Sequence, residues 1–283
     1  MPLLLAGLPL VAAAPETRCT FTDDRIAELS GLVVDAGVWA LGAGGRSVAV
    51  HLLDEECAVV DTRTADIDPY DAEDLALGPD GAMWVADVGD NDRARETVAM
   101  IVLPPVGDAR LHRLTYPDGP HDAEALLVDA DGVPYVITKE LGGPAGVYRS
   151  VEPPDGEGPT PMELVTQVSL PSSDTEGGPI GSLGSRAVTG AAATADGRVV
   201  ALRTYTDAWL FEVPQDGDLG AALSGEPTRV PLPGEPQGEA VAFTEDGTLL
   251  SASEARGGAP GELRAVPDAA ALAGAPAPAP PAS

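Results

Sequence analysis

The sequence predicts an all-β fold, a β-propeller of five four-stranded blades, and three observations predict it. The first is a spacing that recurs in four places: an acidic or hydroxyl residue stands eight positions before the glycine of an Asp-Gly pair. The instances are Glu73 with Asp80-Gly81, Glu124 with Asp131-Gly132, Thr189 with Asp196-Gly197 and Glu239 with Asp246-Gly247, and a copy one residue shorter runs from Ser30 to Gly37. The second is a succession of short apolar runs bounded by Gly, Asp and Pro, with no long stretch of helical periodicity after the first residues. The third is the interval between successive turn glycines, 44, 51, 65 and 50 residues, the size of one four-stranded blade with its loops. A unit repeated in this way cannot bury its own face and must stack on its neighbours.

Taken in order, residues 3–14 (LLLAGLPLVAAA) are apolar and end in small residues, like the core and cleavage region of a secretory signal, and are too short to span a bilayer. Residues 1–14 are therefore read as a leader. Residues 19–267 form the propeller domain. Each unit opens with a strand, an Asp-Gly hairpin turn whose two central residues are expected at positive φ, and a second strand such as Val38–Leu41, Met83–Ala86 or Tyr135–Thr138. Two further strands follow, as in Val98–Leu103 and Arg110–Tyr116. The last unit runs out at Pro267 with three strands, so Cys19–Thr22 is expected to supply the fourth and close the ring, removing open sheet edges. The 65-residue interval leaves room for a sixth blade in the Gly- and Pro-rich stretch 153–187. Residues 268–283, ending APAPAPPAS, read as a disordered Ala/Pro tail.

Of the 283 residues 44% are hydrophobic but only 4% aromatic, which fits a folded chain with a small-residue core. The net charge of −29 excludes nucleic acid and anionic lipid as natural partners and favours cations. Two cysteines, Cys19 and Cys57, in an exported chain point to one disulfide and a secreted or cell-envelope location. The expected state is a monomer without membrane insertion.

In a propeller the innermost strand of every blade starts on one face, so Ser30, Glu73, Glu124, Thr189 and Glu239 are expected to form a ring about the axis. The loops after the second strands open on the same face and add Asp87, Lys139, Arg203 and Glu254. Converging carboxylates repel unless a cation or a basic side chain lies between them. Glu73, Glu124 and Glu239, with Asp87 and Asp90 of the acidic run Asp87–Asp92, are thus candidate ligands for Ca²⁺ or another divalent cation. Lys139, the only lysine, and Arg203 could instead neutralise the ring, and Asp-rich turns also form without an ion. No Gly-x-Ser-x-Gly elbow is present. His121, just before Asp122-Ala123-Glu124, is a candidate base beside a bound ligand, with Glu124 as the alternative.

The sequence resembles a family of exported bacterial β-propeller proteins labelled phytase-like or esterase-like. The residues that carry the resemblance are Glu28–Leu32 with the cysteine pair around it, Tyr70–Leu75 leading into Asp87–Asn91, Asp122–Ala125 followed by Thr138-Lys139-Glu140, and Gln237–Ala240. The chain departs from that family after Leu41, where Gly42-Ala43-Gly44-Gly45 replaces an Asp-Ser-Gly. The reading that follows is an exported propeller that binds a small ligand or divalent cation at the channel mouth. The alternatives are a metal-dependent hydrolase of phosphoesters or lactones and a protein-interaction scaffold.

Overall fold

The computed structural model describes residues 12–42 and 44–274. The leader up to residue 11 and the last nine residues of the tail lie outside them. The chain is all-β and propeller-like. After β1 (Glu16–Thr20), β2 (Leu29–Val34), β3 (Val38–Gly42), β4 (Val48–Leu53) and β5 (Val59–Ala65) form one antiparallel meander. The same order recurs in β6 (Ala72–Leu77), β7 (Met83–Asp87), β8 (Val98–Leu103) and β9 (Arg110–Thr115). A third meander comprises β10 (Ala123–Val128), β11 (Pro134–Thr138), β12 (Ala145–Ser150) and β13 (Thr160–Val168), and β13 pairs in parallel with β9 to merge two meanders into one eight-stranded sheet. Then come β14 (Val188–Ala193), β15 (Val199–Thr204), β16 (Asp207–Glu212) and, beyond a short helix α1 (Leu219–Leu223), β17 (Thr228–Pro231). Finally β18 (Gly238–Phe243), β19 (Leu249–Ser253) and β20 (Glu262–Val266) take β1 as their outer strand, antiparallel to β20.

The first strands lie side by side: β2 against β6, β6 against β10, β10 against β14, β14 against β18, and β18 against β2. Their ring encloses a channel. Apolar clusters fill the spaces between successive meanders, for instance Val33, Trp39, Leu41 and Val50 with Leu75, Met83 and Ile101. Another unites Phe21, Leu32 and Leu53 with Ala242, Leu250 and Leu263 where the chain closes on itself. The expected disulfide forms there: Cys19 and Cys57, 5.7 Å apart at Cα and 38 residues apart in sequence, tie β1 to the loop before β5. On the chain-entropy argument a loop of that size stabilises by about 4 kcal/mol.

Two expectations need correction. At the Asp-Gly turns only the glycine has positive φ (Gly81 76°, Gly132 77°, Gly197 68°, Gly247 81°), and the aspartate does not. Each glycine N–H donates to the residue three positions back, Gly78, Asp129, Thr194 and Thr244 respectively, so the loops are type I turns closed by a left-handed glycine. The turn aspartates also work: Asp80, Asp196 and Asp246 accept the N–H two residues on. Second, the tail does not begin at Asp268. Ala269 and Leu272, in a short 3-10 turn, are buried in a cluster with Val241, Phe243, Leu249 and Val266. A single step of three positions between two apolar side chains is too short a pattern to register in an alanine-rich run.

One buried polar group spans the channel. Asp74, the third residue of β6, is completely buried, and its carboxyl accepts N–H groups from Leu75 (2.8 Å), Leu126 on β10 (2.8 Å) and Ala191 on β14 (3.0 Å). The matching positions of the other first strands are Gly31, Ala125, Gly190 and Ala240, all small. A Cβ at Gly31 would collide with the backbone of Leu75, and one at Gly190 with the carbonyl of Glu239.

Two outcomes follow. Asp74→Ala leaves three buried N–H groups without acceptors and should cost about 3 kcal/mol or more, read as a lower denaturation midpoint. Removal of residues 268–283 should lower Tm by several degrees, because burial of one leucine contributes about 2–3 kcal/mol; an unchanged Tm would show that Leu272 contributes nothing.

Candidate functional site

Each first strand carries a β-bulge at its start. The pairing register skips between Leu29 and Gly31, Ala72 and Asp74, Ala123 and Ala125, Val188 and Gly190, and Gly238 and Ala240. The extra residues are Ser30, Glu73, Glu124, Thr189 and Glu239, the five positions picked out by the repeat. A bulge leaves one residue out of the ladder and re-aims its side chain. It also shifts the in-out alternation by one, which frees the next position to face the channel, as Asp74 does.

Three ring carboxyls share one electrostatic environment. Glu124, 5% exposed, is ion-paired to the Lys139 ammonium through Oε1, and its Oε2 is buried with no hydrogen-bond partner. Lys139 lies 5.1 Å above the ring of Tyr205. Burial pushes the Glu124 carboxyl up to about 7 against the opposing pull of Lys139. Burial, reinforced by the charges of Glu124, Asp71 and Glu239, holds Glu73 well above the ordinary carboxyl range. Glu239 is raised in the same way, by burial and then Glu124. Burial works against the Lys139 ammonium, but Glu124, Tyr205 and Glu239 outweigh it and raise its pKa. The Tyr205 phenol is pushed up to about 12, by burial and then by Glu239 and Glu124.

Gln237 extends the cluster: its Nε2 donates to Glu239 Oε1 (2.7 Å) and Glu254 Oε2 (2.7 Å), and its Oε1 accepts from Arg256. Burial and the neighbouring Glu28 raise Glu254 to about 7. Gly89 is packed against Asp71 Oδ2 and Glu73 Oε1 so closely that no Cβ fits.

Other predicted residues lie elsewhere. Asp87 accepts the N–H groups of Tyr70 (3.1 Å) and Asp71 (2.9 Å) and pairs with Arg95 at 3.1 Å. Asp90 accepts those of Ala94 (2.9 Å) and Arg95 (2.8 Å). Both carboxylates hold their own loop together, which is the turn-forming use of such residues. Arg203 does not neutralise the ring: it is completely buried, paired with Glu235 and bonded to Ser251 Oγ at 3.0 Å. His121 does not face Glu124 but bonds Asp118 Oδ1 (3.0 Å) and Tyr148 OH (2.9 Å), packed against Tyr116. The Thr189 hydroxyl donates to the Gly238 carbonyl at 2.9 Å, and Ser30 is buried. Among the described residues no three His, Cys, Asp or Glu side chains come together closely enough to hold a metal ion.

Sequence reasoning missed Tyr205, Gln237, Glu235 and Asp71. Asp71 stood inside the Tyr70–Leu75 motif, two positions before Glu73 as Asp122 is before Glu124 and Gln237 before Glu239, and the strand register makes Tyr205 the counterpart of Lys139, since Thr204 faces Val188 as Thr138 faces Ala123. At the other end of the channel a cavity of about 480 Å³ is lined by Leu32–Val34, Leu75–Leu77, Leu126–Val128, Ala191–Ala193 and Phe243. Its walls are apolar, and the titratable groups among its lining, Asp129 and Asp196, belong to the turns at its rim. The concentrated charge is at the bulge end.

No family model matches the chain, and neither does any curated protein sequence. Solved structures do match. A glucose dehydrogenase superposes with a TM-score of 0.51 at 12% identity, covering 90% of this chain and 99% of that one. A gluconolactonase from Xanthomonas campestris gives 0.48 at 17% identity over 85% of this chain and 72% of that one. The PQQ-bound aldose sugar dehydrogenase of Streptomyces coelicolor gives 0.47 at 12% identity over 92% and 99%. At such identities the likeness to the glucose dehydrogenase is one of fold, a propeller-like arrangement of β-sheets, and not of chemistry. Among the described residues no helix is long and apolar enough to cross a membrane.

The raised carboxyls set a pH dependence. A carboxyl whose folded pKa exceeds its unfolded value binds its proton more tightly in the folded state, so its contribution is present below about pH 4.5 and is lost as pH rises through the folded value. For Glu124, from 4.5 to about 7, that loss is about 3 kcal/mol. Tm should therefore fall between pH 5 and pH 7.5, and Glu124→Gln should flatten the slope. A Tm that climbs steadily over this range would contradict the assignment.

Proposed function

We propose that this chain is an exported five-bladed β-propeller, closed by its N-terminal strand, whose channel mouth binds a small cationic ligand. The single observation that carries the reading is the state of Glu124: one oxygen is held by Lys139, and the other is buried with no donor. A buried carboxyl oxygen without a partner costs about 1–3 kcal/mol, more if charged, and a ligand N–H would recover it. Glu73 and Glu239 lie in the same environment, raised well above the ordinary carboxyl range by burial and then by the Glu124 charge, and a cation at this point would favour the ionised form of both. Five blades are supported by the closed ring of five first strands and by the 65-residue interval, which holds β12, β13 and an irregular loop with one 3-10 turn. The disulfide supports an exported protein. Hydrolysis of a phosphoester or lactone through a metal-activated water draws no support from the carboxyl spacing, and His121 is committed to Asp118 and Tyr148.

The test is a thermal-shift titration with ethylammonium chloride, with NaCl at equal ionic strength as control. A ligand at a hundred times its dissociation constant stabilises by about 2.7 kcal/mol, so a rise in Tm of several degrees is expected, lost in Glu124→Gln. A shift given only by Ca²⁺ or Mg²⁺ and reversed by chelator would replace the organic cation with a metal ion. No shift with any of them would overturn the proposal.

A further inference from the structure

Four large apolar side chains stand exposed on the loops that open at the bulge end: Tyr70 (86% exposed), Leu141 (49%), Ile180 (39%) and Leu183 (49%). Single exposed apolar residues are ordinary, but these stand on the loops of three successive meanders that lead into or out of the strand ends carrying Glu73, Lys139 and Thr189. Tyr70 directly precedes Asp71, which touches the Glu73 side of the cluster, and its ring lies 5.0 Å from the Arg95 guanidinium. Leu141 comes two residues after Lys139, and the intervening Glu140 pairs with Arg93 at 2.9 Å, tying that loop to the one beside Tyr70. Ile180 and Leu183 border the 3-10 turn Gly181–Leu183, anchored where Tyr205 N–H donates to the Gly184 carbonyl at 3.2 Å. Tyr205 is the aromatic ring beneath Lys139. The loops thus raise apolar groups beside a floor, the carboxyl cluster that holds the unpartnered oxygen of Glu124.

Resting on the cationic-ligand reading above, we infer that the ligand is an amphipathic amine: an ammonium group that donates to the unpartnered oxygen of Glu124, carried on an apolar body that covers the rim. A bare metal ion or a small hydrophilic cation would satisfy the floor and leave the rim in water. A neutral apolar molecule would cover the rim and leave the floor uncompensated. Charge and apolar surface are matched together only by a molecule that has both.

The experiment is calorimetric titration of the full chain with an alkylammonium series from ethyl to octyl, with octanol as the neutral control. Burial of each added methylene should lower the dissociation constant by about two- to fourfold. Ile180→Ser/Leu183→Ser and Tyr70→Ser, checked by Tm for folding, should reduce that factor per methylene. Glu124→Gln should weaken every member of the series by a similar factor. Equal affinity for ethyl- and octylammonium would overturn the amphipathic ligand while leaving the cationic mouth standing. Binding of octanol as tight as octylammonium, unaffected by Glu124→Gln, would overturn it as unspecific adsorption to the rim. No binding of any amine would remove the cationic mouth itself.

Discussion

Asp74 is the one group to which three of the channel-lining strands are hydrogen bonded, and the interior is arranged around it. The inner edge of a first strand is a sheet edge, with N–H and C=O groups that no neighbouring strand pairs. In a closed ring those edges face one another across a space too narrow for another element. A single carboxyl in that space accepts from β6, β10 and β14 at once. Burial pushes its pKa well above the ordinary range, and the three N–H donors pull it back. Gly31, Ala125, Gly190 and Ala240 are small so that one aspartate can occupy the axis. The acidic mouth then lies on one side of it and the apolar cavity on the other, with Leu75, Leu126 and Ala191 shared between the Asp74 contacts and the cavity wall.

The mouth follows from the same local device. Without its bulge, each first strand would keep a strict alternation, and the glutamate and the channel-facing position could not lie next to each other. With it, Glu73 turns to the mouth while Asp74 fills the channel. Burial of Glu73, Glu124 and Glu239, and after it the charges of their neighbours, raises all three pKa values, and Lys139 offsets only part of that.

Much of this was legible in the sequence because the turn glycines fix the count. A left-handed glycine can stand at one place in the turn, so the distance from it to the bulged residue is the same in four copies, and four of the five bulged positions could be read from the Asp-Gly pairs, Ser30 coming from the copy one residue shorter. The bulge itself was hidden, since an extra residue leaves no trace in an apolar pattern of only six positions. Asp74 was hidden for a related reason: its equivalents are Gly, Ala, Gly and Ala, so the position carries no shared chemistry to notice. Tyr205 is the residue that stands where Lys139 does, because the turn Thr194–Val199 is one residue longer than Asp129–Val133; Arg203 pairs with Gly190 as Ile137 does with Ala125, and its place near the end of the second strand alone put Arg203 at the mouth. Its partner Glu235 comes from the linker before β18, which belongs to no repeat, and the pair turns inward. The same blindness to unrepeated segments concealed the docking of Leu272, whereas Tyr205 was hidden by the one extra residue in the turn before β15.

Native-state hydrogen exchange tests the central constraint most directly. If the Asp74 carboxyl closes the channel as described, the amides of Leu75, Leu126 and Ala191 should exchange only through global unfolding, as slowly as amides in the middle of the sheets. Exchange of these three amides by local opening, orders of magnitude faster than the ladder amides of β7 and β11, would show that no buried acceptor holds them and would contradict the account.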